Sequence, residues 1–249
     1  MKIQNLMLKV ASAASVVFAA IVFFAFSPVL TFAQDDRATI DTSKIPTTAD
    51  KAEAFVPAGW KIEEQIAGDV NADGKGDVIL KLIQDKPATD KDGTMSERGR
   101  AMVILISGDG VKYRRGAVTD KLLQCATCGG AFYGVSDAPA NVKIEKGVII
   151  VEQDHGSRWV TDTTYRFRYD EQPGMFILIG FDYSSNDRAA GGSSTESTNY
   201  LTGKRITTTI SKGGRSTAKT TVISKMRYSI EEIDSEKFDA DATKRLGLD

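Results

Sequence analysis

The sequence predicts a mainly β protein made of two antiparallel meanders and a Thr-rich C-terminal hairpin. Three observations carry that prediction. Short apolar runs alternate with Gly, Asp and Asn turns along the middle of the chain. Several of those runs alternate apolar and polar residues with period two. The turn dipeptides recur where a hairpin needs them, at Gly108-Asp109-Gly110, Lys146-Gly147 and Pro173-Gly174.

The N-terminus carries Lys2 and Lys9, then no charge from Val10 to Ala33, and ends in Thr31-Phe32-Ala33. This is the three-part pattern of a cleaved secretory signal spanning residues 1–33. The uncharged run is also about as long as the roughly 20 residues a spanning helix needs, so an uncleaved anchor is the rival reading. After cleavage no second apolar run long enough to span a membrane remains. Residues 34–50 are polar and without period, and read as a flexible tether. A β domain is expected over 51–185. Charge is nearly balanced, 32 basic against 33 acidic residues, which argues against nucleic acid as a partner.

Candidate strands in the first group are 60–67, 77–83, 100–107 and 111–118. The second group is 142–146, 148–154, 159–169 and 175–183. Each group reads as a four-stranded meander, arranged like a propeller blade or as one layer of a sandwich. Met102 to Ile106 and Met175 to Ile179 are apolar on both faces, so their strands should be central. In 159–169 the residues Trp159, Thr161, Thr163, Tyr165, Phe167 and Tyr169 share the core face. Residues 84–99 form a polar excursion. Residues 186–198 have linker composition. Residues 199–249 hold a Thr-rich hairpin around Lys212-Gly213-Gly214 and a tail with a short polar helix.

The strongest local motif is GDVNADGKGD at 68–77. Asp69, Asn71, Asp73 and Asp77 supply oxygens at alternate positions, the Lys75 carbonyl adds one, and Gly74 permits the sharp turn. Calcium, a hard cation with six to eight oxygen ligands, suits this set. Leu80 occupies the position where a helix-loop-helix site has its bidentate Glu, so the expected form is strand-loop-strand. A bare Asp/Asn/Gly turn is the alternative. GDVNADGKGDVIL resembles the metal loop of FG-GAP and VCBS repeats. That resemblance implies calcium on the same Asp and Asn positions, although only one such loop is present. The chain as a whole resembles a group of small exported bacterial proteins of unknown function, which share FVPAGW, this loop, CxxCGG, HGSRW…YRFRY and NYLTGK. The resemblance implies export and fold, and no activity.

Cys125 and Cys128 stand in CATCGG. A structural disulfide, a thiol–disulfide exchange site and half of a metal site compete for this pair. The single histidine, His155, stands in DHGSRW, at the expected turn between two strands. A hydrogen-bonded turn residue, a ligand contact, and a catalytic base oriented by Asp154 or Asp162 toward Ser157 are its three readings. Arg158 and Trp159, with Arg166 and Arg168, offer a cationic–aromatic patch. The alternative is a solvated sheet face with Trp159 in the core. The sequence therefore reads as an exported, calcium-stabilised β module that binds a glycan or protein of the envelope or exterior, or is structural there. The alternative is a hydrolase or thiol oxidoreductase using His155 or Cys125 and Cys128.

Overall fold

A computed structural model describes residues 38–248 except 109, 111, 135 and 136. The signal segment predicted at residues 1–33 lies outside the described residues. The strands, in chain order, are β1 (Thr48–Ala49), β2 (Trp60–Gly68), β3 (Asp77–Gln84), β4 (Arg100–Ser107), β5 (Tyr113–Thr119), β6 (Ala140–Glu145), β7 (Val148–Gly156), β8 (Trp159–Asp170), β9 (Met175–Asp187), β10 (Ser193–Asn199), β11 (Lys204–Ile210) and β12 (Ser216–Val222). One helix, α1 (Ser235–Leu246), follows.

The strands form two antiparallel sheets. The first has the order β1-β5-β4-β3-β2, and the second runs from β12 through to β6. Of the two arrangements expected, the sheets adopt the sandwich. Both central-strand expectations hold: β4 and β9 lie in the middle of their sheets. Period two explains the two cores. Ile79, Met102, Ile104 and Ile106 face the second sheet and meet Val151, Tyr165, Phe167 and Leu178. Leu80, Leu82, Val103 and Leu105 point the other way into a second cluster with Ile40, Ile45 and Phe55.

That second cluster corrects the tether. Residues 38–50 pack on the outer face of the first sheet, with Ile40 and Ile45 buried and β1 paired to β5. Ile40 N donates to Asp120 Oδ2 at 2.8 Å, and Arg115 Nη1 donates to the Thr42 and Ile45 carbonyls at 2.7 Å. The cause is legible in hindsight. A sheet with apolar residues on both faces needs a cover on each, and the second sheet supplies only one.

The linker is also corrected. β9 continues to Asp187, a turn follows, and 193–199 forms β10 between β9 and β11. Its sequence, SSTESTN, has no apolar residue, but ladders on both sides fix it as a strand. The polar groups it buries are partnered. Glu196, fully buried, accepts from Arg245 Nε and Nη2 at 2.7 and 2.8 Å, and lies 3.2 Å from Arg205 Nε. Arg245 belongs to α1, so the buried carboxylate fixes the helix over the second sheet. Phe238 of α1 sits edge-on to Tyr165 and Phe181. The helix starts at Asp234, whose side chain accepts from Lys237 N, and stops at left-handed Gly247.

Removing Glu196 leaves two arginines facing a buried, uncompensated site. Glu196→Ala is expected to cost about 3 kcal/mol in urea unfolding and to expose α1 to limited proteolysis. Unchanged stability would show that α1 is held by its other contacts, among them the Phe238 rings, the Tyr183–Thr243 hydrogen bond and the Ser235–Lys121 cap.

Candidate functional site

The two inner faces turn polar toward one end of the sandwich. On β4 the row that holds Met102 and Ile104 begins at Arg100. On β7 the row of Ile149 and Val151 continues to Gln153 and His155, and on β8 the row of Phe167 and Tyr165 continues to Thr163 and Thr161. A cavity of about 310 Å³ opens there. Its walls include Arg100, Gln124, Cys125, Cys128, Gln153, His155, Thr163 and, from α1, Glu236 and Asp239.

Arg100 organises this end. The β2–β3 register slips between Ile62 and Glu64, so Glu63 is the extra residue of a bulge. Its carboxylate accepts from Arg100 Nε at 2.8 Å and Nη2 at 2.8 Å. Arg100 Nη1 donates to the carbonyls of Ala138 (2.8 Å) and Gln124 (3.3 Å). One buried guanidinium thus ties the first sheet to the connection between β5 and β6, which carries both cysteines.

Cys125 and Cys128 form a disulfide, with Cα atoms 5.1 Å apart. This removes the half-metal-site reading, because the sulfurs are bonded to each other. Glycines bring the disulfide to His155. Gly156 N donates to Gly129 O at 2.9 Å, and a Cβ on Gly130 would lie 2.7 Å from Gly156 O. Backbone meets backbone there, so CxxCGG and HGS are two halves of one contact.

His155 lies in β7 rather than in a turn, and burial pulls its pKa down. Alternation puts Asp154 on the opposite face, where Tyr133 Oη donates to it. Asp162 accepts from Ser184 Oγ at 2.9 Å. The predicted acid–base–nucleophile alignment with Ser157 therefore has no geometry behind it.

Arg158 and Trp159 lie apart from the cavity. Trp159 is 46% exposed, which corrects its expected place in the core. It stands at the open end of β8, beside a shallow surface pocket shared with Thr161, Tyr183, Ser185, Thr243 of α1, and Gly247 and Leu248 just after the helix. Arg158 covers its ring with Cζ 5.7 Å from the centroid and pairs with Asp187 at 2.7 Å. This pair holds the Asp187 carboxyl far below the usual range. Arg166 and Arg168 sit on the opposite face of β8, so the four residues do not form one patch.

The 69–77 loop joins β2 to β3, as expected of a strand-loop-strand element. Asp69 accepts from Gly74 N at 2.9 Å and Asp73 N at 3.2 Å, Asn71 Oδ1 accepts from Asp73 N, and Asp73 accepts from Lys75 N at 2.8 Å. Asp77 differs: it is 1% exposed and accepts from Val70 N (2.9 Å) and Ser107 N (2.8 Å). Burial, with Asp73 and Asp69 nearby, raises its pKa. The donor set suits calcium in kind, four side-chain oxygens at alternate positions. Asp69 and Asn71 both turn onto the Asp73 amide, and among the described residues no group of three or more His, Cys, Asp or Glu side chains is placed to hold a metal ion. Asp77 is first a brace between β3 and β4.

Asp239 gave no signal in the sequence, being one acid in a polar tail. Burial, and then the charge of Glu236, raise its pKa to about 7 against a weak 3.5 Å hydrogen bond from Tyr165 Oη. Asp239 lines the cavity. The folded state therefore holds a proton that the unfolded chain has released above about pH 4. Stability from this group is complete below pH 3.8 and declines as pH rises toward 7, by at most about 1.4 kcal/mol per pH unit. Asp239→Asn is expected to flatten that decline in urea melts between pH 4 and pH 8, and an unchanged slope would place the proton elsewhere. Comparisons with protein-family models, curated proteins and solved structures return no match, so the cavity's own chemistry is the basis for function.

Proposed function

We propose that this chain is an exported, calcium-stabilised binding module that takes a small polar ligand of the envelope or exterior, such as a glycan fragment, in the cavity between its sheets. The observation that carries this reading is the cavity itself. Side chains from β4, β7, β8, α1 and the cysteine connection line one space of about 310 Å³. Enclosed space with a few convergent polar groups is the usual form of a small-molecule site. Gln153 is half-engaged there, accepting from Gln124 N at 2.5 Å and donating to Leu122 O at 3.0 Å. Arg100 is held by Glu63 and two carbonyls, and Gln153, His155 and Thr163 are among the polar groups that line the space.

Export rests on the N-terminal signal pattern and fits a disulfide-permissive compartment. No helix among the described residues is long and apolar enough to cross a membrane. For calcium, Asp69, Asn71, Asp73 and Asp77 with the Lys75 carbonyl would hold the ion, which would neutralise crowded carboxylates and stiffen the β2–β3 hairpin. The role is structural.

Two measurements test the reading. A panel of mono- and disaccharides should contain a compound that stabilises the protein by about 2.7 kcal/mol at 100 times its Kd, an effect reduced in Thr163→Val. A panel without any shift contradicts the glycan class. Calcium should raise Tm with half-effect on the order of 10⁻⁴ to 10⁻³ M, and Asp73→Ala should abolish only that rise. Asp77→Ala should instead cost about 3 kcal/mol with calcium absent, because two backbone donors lose a charged acceptor. A calcium shift that survives Asp73→Ala contradicts the loop assignment.

A further inference from the structure

The disulfide is placed unlike a structural crosslink. It joins residues three apart, so it closes a ring too short to restrict the unfolded chain greatly. The loop around it is already fastened. Ala126 N donates to Arg98 O (2.9 Å), Ala138 N to Ala126 O (2.7 Å), Cys128 N to Cys125 O (3.1 Å) and Gly156 N to Gly129 O (2.9 Å). All four are backbone bonds, and none of them uses a cysteine sulfur. The two sulfurs are also unequal. Cys125 is buried, at 8% exposure, while Cys128 is exposed, and both line the cavity. Thr127 Oγ1 lies 3.4 Å from Cys125 Sγ, where a hydroxyl can donate to a sulfur that is becoming a thiolate. His155 lines the same space.

We propose that the Cys125–Cys128 disulfide exchanges with small thiols that enter this cavity, with Cys128 the sulfur attacked and Cys125 the sulfur released. His155 takes the proton of the entering thiol. The resulting thiolate attacks Cys128 Sγ, a bond forms between those sulfurs, and the Cys125–Cys128 bond breaks. Its electron pair leaves on Cys125 Sγ, which Thr127 stabilises. A second small thiolate attacks the mixed disulfide at the small molecule's sulfur. It departs with that molecule as a low-molecular-weight disulfide and leaves Cys128 reduced, and the two cysteine thiolates take up the two protons that the small thiols released, one of them by way of His155. Two thiols are oxidised and one protein disulfide is reduced. Reaction with another low-molecular-weight disulfide reverses both steps. The inference rests on the same cavity as the ligand reading, but on its sulfurs rather than on its capacity for saccharides.

The test uses the wild-type protein in mixtures of reduced and oxidised glutathione, quenched with acid, alkylated and weighed, with circular dichroism in parallel. The expected result is reversible interconversion with the fold retained, and quenched mixed disulfide that maps to Cys128. Thr127→Val is expected to slow reduction roughly tenfold, because a poorer leaving thiolate departs more slowly. His155→Ala should slow exchange at neutral pH and not at high pH, where the glutathione thiolate is abundant. Three results would each overturn the proposal: a disulfide that stays oxidised in large excess of reduced glutathione, reduction that unfolds the chain, or adduct that maps equally to Cys125. A saccharide shift that persists beside any of them separates this failure from failure of the ligand reading.

Discussion

The buried guanidinium of Arg100 is the interaction on which the rest of this end of the molecule depends. A charge removed from water is costly unless it is paired and its donors are used. Here the Glu63 carboxylate pairs it, and the carbonyls of Gln124 and Ala138 take the donors that remain. The bulge in β2 is what lets Glu63 reach inward from an otherwise alternating strand. Without that extra residue the carboxylate would follow the pleat of its neighbours. The connection that carries the disulfide would then lose its main tie to the first sheet.

From this clamp the cavity follows. The cysteine connection is held against β4 by Arg100 and against β7 by the Gly129–Gly156 backbone contact. The inner faces turn from aliphatic to polar at the same level, so the sheets cannot close on one another there. The helix fills part of the gap, fixed by Glu196, and leaves the remainder lined by Asp239 and Glu236. Hydrophobic burial thus stabilises the middle of the sandwich, while charge pairing and backbone contacts shape its open end.

Much of this was legible in the sequence, and the limits have physical causes. Ten strands could be placed, eight in the two meanders and two in the Thr-rich hairpin that forms β11 and β12, because period two and turn glycines are local signals. The central positions of β4 and β9 followed from residues apolar on both faces. β10 was hidden because its strand character comes from neighbours rather than from its own Ser and Thr residues. The cover at 38–50 was hidden because Ile40 and Ile45 carry no period, although the doubly apolar strands already implied a missing layer. Cys125, Cys128 and His155 were each singled out, but their convergence depends on two glycines meeting across about 26 residues of chain, which spacing alone does not encode. Asp239 and Glu63 gained their roles wholly from tertiary placement.

One buried arginine holds the cysteine connection and hence the cavity. Hydrogen exchange of Arg100→Met against the wild type tests this most directly. If Arg100 is the tie, the amides of Gln124, Ala126, Cys128 and Ala138 lose protection while β8 and β9 stay protected as before. Protection lost evenly across both sheets, or unchanged at those four amides, would contradict it.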